Sequence, residues 1–352
     1  MLWGASMKCG TLQPIGIVSL GVVALNEEQS LPGLFEDILS QVFPHDRMEV
    51  VLVDSGSSDG TRALMEGFAC EHAGEFFGIS VFDNAKRIQA AGWNVFIRSA
   101  KGDALIRVDA HASIASDFVS RSVAALDSGE SVCGGYRPTI VAPSQSTPWH
   151  ETLHLAEEAA FGSSVSSFRR LGEARYVDSV FHGAYRRGVL DEVGVFDERL
   201  LRTEDNDLHY RIRKAGYNIL FDPMIKSAQY VRASFYKMLR QKYGNGYWVG
   251  RTLFIQPKCL QLYHFAPLVF VLGIIALALT GVLVSWIPFL GCAAMYTLLC
   301  ILLSLRAVCQ SESRNVTMVA LPFVFFGIHL AYGIGTVAGM IRGLLGALRF
   351  CK

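Results

Sequence analysis

Val51-Leu52-Val53-Asp54-Ser55-Gly56-Ser57-Ser58-Asp59-Gly60-Thr61 is the stretch on which the fold turns. Its first part closes an apolar run, Met48–Val53, in which residues on both alternating faces are apolar. That pattern reads as a strand covered on both sides. Small polar residues then make a tight turn, and Asp59 or Ser58 can cap the helical pattern that follows over 60–72. Working outward, Gly16–Val23, Gly78–Phe82 and Ala104–Val108 are further strand-like runs. Glu28–Gln41 and Lys86–Ala100 are amphipathic at helical spacing. The alternation predicts an α/β domain with a mostly parallel sheet flanked by helices. Ligands in such sheets bind beyond the carboxyl ends of the strands.

The rest of the 352 residues divides sharply in composition. Apolar residues make up 51% and charged residues 18%, and the net charge of +1 gives no electrostatic basis for binding nucleic acid. Eight cysteines (9, 70, 133, 259, 292, 300, 309 and 351) form no C-x-x-C pair, which points to reduced thiols and a catalytic part facing the cytoplasm. Met1–Gln13 has one Lys and too short an apolar run for a signal peptide, and Ile15–Leu25 has the length of a buried strand.

Beyond Tyr263 the chain becomes a series of apolar stretches. Phe265–Trp286 contains no charged residue and is long enough to cross a hydrocarbon core of roughly 30 Å. Pro288–Leu305 is a second such run, joined to the first as a tight hairpin. Val316–Met340 is a third, with Gly327, Gly333, Gly335 and Gly339 as small faces for helix contact. Lys242, Arg251 and Lys258 put the N-terminal part in the cytoplasm by the positive-inside rule, and Arg306 and Arg314 return to that side. Arg342, Arg349 and Lys352 would then lie outside after three full spans. Either the last segment is partly interfacial or re-entrant, or the rule is broken here. Arg232–Arg251 mixes Phe235, Tyr236, Tyr243, Tyr247 and Trp248 with basic residues, which suits an interfacial helix on anionic lipid heads.

The strand ends carry the chemistry. Strand one runs into Asn26-Glu27-Glu28, strand two into Asp54, and strand four into Asp109-Ala110-His111. If that last segment stays extended, Asp109 and His111 point the same way and offer an oxygen and an imidazole to one divalent ion. Asp54 can accept hydrogen bonds from a base or ribose, with turn geometry alone as the lesser reading, and Asp-x-His also arises by chance. Glu204 and Asp205 open a helical pattern through Arg211, where acidic residues are also favoured by the helix dipole.

Together these motifs resemble the inverting nucleotide-sugar glycosyltransferases of family 2, with the GT-A fold. The resemblance covers roughly residues 15 to 235 and the apolar tail. It is strongest at 51–61, at Asp109–His111 and at Thr203-Glu204-Asp205-Asn206-Asp207-Leu208. Arg87-Ile88-Gln89, Gly92-Trp93-Asn94, Arg107-Val108-Asp109-Ala110-His111 and Phe181-His182-Gly183-Ala184-Tyr185-Arg186-Arg187 look like the succinoglycan-type exopolysaccharide glucosyltransferases. The resemblance implies Asp205 as general base and Glu27, Asp54, Arg87, Gln89 and Asp109 around the nucleotide sugar. It also implies Asp109 and His111 on the metal, with His182, Glu204 and Trp248 as candidates for acceptor or sugar contact. For Trp248 an interfacial anchor is the reading preferred over a sugar platform.

Two departures matter. His111 stands where the family has a second Asp, and the softer site favours Mn²⁺ over Mg²⁺. The family's processive Gln-x-x-Arg-Trp is replaced by Gln241-Lys242-Tyr243-Gly244-Asn245-Gly246-Tyr247-Trp248, so single transfer is expected. The implied function is metal-dependent transfer of a sugar, first glucose from UDP-glucose, to a polyprenyl-diphosphate-linked saccharide in cell-surface or exopolysaccharide synthesis. The enzyme would be a multi-pass protein of the plasma membrane. The alternatives are a polyprenyl-phosphate sugar synthase and a catalytically silent membrane scaffold. Expected boundaries are a tail at 1–14, the catalytic domain at 15–235, an interfacial segment at 236–264, about three membrane helices at 265–345, and a tail at 346–352. The small and basic stretch Phe161–Arg170 is expected as a mobile loop near the acceptor.

Overall fold

The computed structural model describes residues 13–141, 146–162, 172–231, 234–311 and 313–350. Most of the N-terminal tail, Arg232 and residues 163–170 of the expected acceptor loop lie outside that set. The strands are β1 Val18–Ala24, β2 Met48–Asp54, β3 Gly78–Asp83, β4 Ala104–Asp109, β5 Ala112–Ile114, β6 Val132–Tyr136, β7 Thr139–Ile140, β8 Arg175–Tyr176, β9 Ala184–Arg186 and β10 Leu220–Tyr230. The helices are α1 Leu31–Leu39, α2 Thr61–Glu71, α3 Gln89–Ser99, α4 Phe118–Asp127, α5 Pro148–Glu158, α6 Arg187–Val193, α7 Glu204–Lys214, α8 Phe235–Thr252, α9 Ala266–Leu283, α10 Ile287–Gln310 and α11 Leu321–Phe350. The chain folds as two compact units, the first from 13–138 and 172–229, the second from 139–162 and 230–350.

The first unit is a mixed sheet in the order β3-β2-β1-β4-β9-β6-β10-β5. Its first four strands are parallel, and β9 then runs antiparallel to both β4 and β6. The alternation within each strand explains why both faces are covered. Val50 and Leu52 belong to the core under α1, α2 and α4, whereas Val51 and Val53 belong to the core with Trp93, Phe96 and Leu208. Burying each such side chain contributes about 1.5–3 kcal/mol. Helix α3 lies close on β1 because two glycines remove the bulk between them. A Cβ on Gly21 would stand 2.6 Å from the Phe96 ring, and one on Gly92 would stand 2.5 Å from Val23. These features are the GT-A arrangement expected from the motifs.

The second unit is built on apolar helices. Three of its segments, Leu262–Leu283, Ile287–Gln310 and Val316–Leu348, are long and apolar enough to cross a membrane. Residues 284–286 join the first two as a tight hairpin, with Trp286 against Gly281. Helix α5 starts at Pro148 with Thr147 accepting from the His150 backbone N–H. Its Leu153 and Ala156 pack with Met318, Leu321, Val324, Phe325 and Ile328. Helix α8 packs one face along α11 through glycines. A Cβ on Gly246 would lie 2.0 Å from the Tyr332 carbonyl oxygen, and one on Gly339 would lie 1.9 Å from that of Tyr247. Only Tyr236 and its neighbours on the opposite face remain open, so α8 is a packed helix as well as an amphipathic one. Lys242 sits on the buried face and pairs with Glu157 at 2.7 Å.

Candidate active site

The site assembles at the carboxyl ends of β1, β2 and β4 in the first unit. Arg107 lies in the middle of β4, where every neighbouring residue is buried, and its own side chain is 4% exposed. A guanidinium in that position needs carboxylates. It finds Asp205 at the start of α7, which accepts from both terminal nitrogens; the Nη2–Oδ2 contact is 3.2 Å. The same Nη2 stands 3.9 Å from Asp109 Oδ1. The rings of Trp93, Phe196 and Phe181 surround the guanidinium at 4.7, 5.5 and 5.9 Å. Burial alone would pull its pKa down, but Asp205 and Asp109 outweigh it and hold the pKa above the ordinary value.

Helix α7 begins with Glu204, Asp205 and Asp207 and ends with Arg211, Arg213 and Lys214, each set at the pole of the helix dipole that favours it. Glu204 is buried and its Oε2 makes no hydrogen bond. Burial first, and then the charge on Asp205, pushes its pKa up and favours the protonated acid. His209, one turn on, bonds to Ser179 Oγ and Tyr185 Oη, each at 2.8 Å, and burial pulls its pKa down to about 4.

Asp109 closes β4. Its polar neighbours stand off: Gln89 Nε2 at 3.5 Å from Oδ1, and His182 Nε2 at 3.9 Å from Oδ2. His182 is 1% exposed and donates or accepts through Nδ1 at Ser227 Oγ, 2.8 Å away, while its Nε2 has no hydrogen bond. Burial, followed by the nearby charges of Arg137, Arg107 and His111, keeps it neutral. His182 therefore backs the Asp109 carboxylate and is not openly presented to an acceptor. The strand that precedes it in sequence is short, Arg175–Tyr176.

His111 differs from expectation in its surroundings. Ala110 and His111 form a turn between β4 and β5, so the extended alternation that would align Asp109 with His111 is absent. The His111 ring lies between Glu27 Oε1, 3.2 Å from Nδ1, and Gln229 Nε2, 2.7 Å from Nε2. Gln229 in turn accepts from Arg137. Among the described residues no group of three or more His, Cys, Asp or Glu side chains is clustered to hold a metal. Asp109 nonetheless fits a divalent ion, because a buried carboxylate with only long contacts keeps oxygen lone pairs for it. His111 fits only if it gives up Glu27 or Gln229.

The turns after β1 and β2 form another part of the same end of the sheet. Asp54 accepts from the Ser57 backbone N–H at 3.2 and 3.3 Å, and Gly56 takes φ +75°. Asn26, Glu27, Glu28, Gln29, Ser30 and Asp59 line a polar recess of about 260 Å³. Arg87 is not on the helix face expected for it. It precedes α3 in a turn at φ +57° and donates to the Gly56 carbonyl at 2.7 Å. Among the described residues the non-glycine positions with positive φ are Asn26 after β1, Arg87 before α3 and His182 before β9, and such conformations cost of order 1–3 kcal/mol each.

The structure thus brings Glu27, Asp54, Arg87, Gln89, Asp109, His111, His182, Glu204 and Asp205 to one end of the sheet unit. Trp248 belongs to the second unit, on α8, against Tyr247 and Arg251. Arg107 was given no role by the motif reading. Its signal was present: one cation inside an otherwise apolar strand requires a buried acid.

The family model for glycosyl transferase family 2 matches residues 19–194. A dolichyl N-acetyl-α-D-glucosaminyl phosphate 3-β-D-2,3-diacetamido-2,3-dideoxy-β-D-glucuronosyltransferase of Methanococcus voltae is 23% identical over 94% of this chain and 98% of its own. The succinoglycan biosynthesis protein ExoA of Rhizobium meliloti is 29% identical over 64% of this chain and 66% of its own. Among solved structures, the mannosyltransferase PcManGT of Pyrobaculum calidifontis, in complex with GDP-Man and Mn²⁺, superposes with a TM-score of 0.60 at 18% identity, covering 91% of this chain and 86% of its own.

Proposed function

This chain belongs to glycosyl transferase family 2, and from that membership we propose that it moves a sugar from a nucleoside diphosphate donor to a hydroxyl of a lipid-linked saccharide, inverting the anomeric carbon. The observation that carries the reading is the meeting of Asp205 and Asp109 on one buried guanidinium at the carboxyl end of the sheet. In the proposed reaction the Asp205 carboxylate takes the proton of the acceptor hydroxyl as its oxygen bonds to the anomeric carbon. The bond from that carbon to the diphosphate oxygen breaks, and the nucleoside diphosphate leaves with the electron pair. Glu27 and Asp54 face the base and ribose, and Arg87 and Gln89 face the ribose or diphosphate. Asp109, with His111 released from its present partners, would hold a divalent ion, Mn²⁺ before Mg²⁺. When bound, such an ion neutralises charge on the diphosphate as a Lewis acid. A GT-A neighbour solved with a nucleotide sugar and Mn²⁺ supports that assignment.

UDP-glucose is the first donor to test, from the succinoglycan-type motifs. A polyprenyl-linked acceptor is supported by the name of the Methanococcus voltae relative and by the three apolar helices. We place the catalytic unit in the cytoplasm and the helices in the plasma membrane as a multi-pass anchor. The test is transfer by the purified protein from UDP-, GDP- and dTDP-sugars, with Mn²⁺ or Mg²⁺, to a polyprenyl-diphosphate-linked monosaccharide and to polyprenyl phosphate. Transfer to the saccharide supports the proposal, and transfer to the phosphate alone replaces it with a polyprenyl-phosphate sugar synthase. General-base help is worth about 10²–10⁴-fold, so Asp205→Asn is expected to lose that much turnover while still binding nucleotide. Wild-type turnover by that variant rejects Asp205 as the base.

A further inference from the structure

We propose that Arg107 is a positioning residue for the reaction, the clamp that fixes the plane of the Asp205 carboxylate; this rests on Asp205 being the base. The geometry of the pair is specific. Both terminal guanidinium nitrogens are on Asp205, one to each carboxylate oxygen, so neither rotation nor translation of the carboxylate leaves the pair intact. The clamp is itself immobile. The backbone N–H of Arg107 donates to the Gly183 carbonyl at 3.1 Å, its strand is paired on one side with β1 and on the other with β9, and three aromatic rings enclose its side chain. Asp205 by contrast is carried on the first turn of α7 with its side chain 19% exposed, open to an incoming hydroxyl.

Catalysis requires the carboxylate to be ionised and aimed. A neutral partner would give the first less well, and a single-point cation would not give the second. Lysine offers a compact ammonium with no planar fork, so it preserves the charge and loses the aim. The same guanidinium faces Asp109 across 3.9 Å, and this ties the base to the donor side of the site through one rigid group. A purely structural salt bridge would need charge and packing alone, which distinguishes the two roles by experiment.

The experiment compares Arg107→Lys, Arg107→Gln, Asp205→Asn and the Arg107→Lys/Asp205→Asn pair in the full-length protein. Thermal unfolding and UDP binding with Mn²⁺ are followed beside kcat and the donor KM. Misplacing a reacting group by about 1 Å costs on the order of 10²-fold in rate. Arg107→Lys is therefore expected to lose about that much kcat with its UDP affinity and KM retained. The double variant is expected to be no slower than Asp205→Asn alone, because residues acting as a unit are not additive. A wild-type kcat in Arg107→Lys, a loss confined to KM, or losses that multiply in the double variant would overturn the proposal. If Arg107→Lys does not fold, Trp93→Phe loosens the same guanidinium from one side, and an unchanged kcat there overturns it equally. Full activity in Asp205→Asn instead rejects the underlying assignment of the base. An inactive Asp205→Asn beside a fully active Arg107→Lys removes only the clamp.

Discussion

Each unit buries an ion pair, and the two are built differently. In the helical unit, Lys242 and Glu157 meet at 2.7 Å, both almost wholly shielded from solvent. In the sheet unit, Arg107 is shared between Asp205 and Asp109, while Glu204 Oε2 and His182 Nε2 are buried without a hydrogen bond. The first pair is made at short range among the apolar helices. The second leaves buried polar atoms and long contacts, each costing about 1–3 kcal/mol where a donor or acceptor goes unmet. Such costs persist where the groups have work to do on a ligand, and the strained φ values at Asn26, Arg87 and His182 lie on separate loops of the same sheet unit.

The largest effect that sharpens this contrast is expected in the helical unit. Lys242→Met removes the ammonium that Glu157 faces and should destabilise that unit by about 3–5 kcal/mol, whereas Lys242→Met with Glu157→Leu should recover most of it. Chemical denaturation of the three variants in one detergent checks this. A single variant as stable as the wild type would break the contrast.

Next comes acid sensitivity of the sheet unit. His209 has a folded pKa of about 4 against an ordinary 6.5, so between those values only the unfolded chain binds the proton. Stability is therefore fully present above pH 6.5 and lost as pH falls towards 4, by about 3 kcal/mol for this group. Urea midpoints from pH 7 to 4 should fall, and less steeply in His209→Gln, whose amide does not titrate. Equal slopes in the two proteins would contradict the assignment.

The smallest effect is expected at the surface. Arg121 and Asp117 pair at 3.0 Å on α4 with both side chains open to solvent, so Arg121→Ala should change stability by less than about 0.5 kcal/mol. A larger loss would mean that exposed pairs carry weight here as buried ones do.

Much of the sheet unit was legible because each strand is a short apolar run closed by small or acidic residues. The runs 48–53 and 104–108 were each one residue short of the observed strands. The positions of Asp54 and Asp109 at strand ends and of Asp205 at a helix start were legible because those are local features, while their roles came from the resemblance. Arg87 could not be assigned to its turn, since periodicity continues through a helix start and says nothing of a positive φ. The relation of Asp109 to His111 was lost for a similar reason, as a turn at Ala110 cancels strand alternation. Partners far apart in sequence were the least accessible. Nothing local links Arg107 to Asp205 or Glu27 to His111, and the packing of α5 with α11 depends on residues separated by about half of the chain.

That last association sets a schedule for synthesis. Thr152 on α5 meets Thr317 across 165 residues of sequence at 2.7 Å. At roughly 5–20 residues per second, the ribosome delivers the partner about 10–30 s after α5 itself. Through that interval Leu153 and Ala156 have none of the α11 side chains that later cover them, so the nascent chain needs a surface or a chaperone to shelter this helix until the last apolar segment arrives.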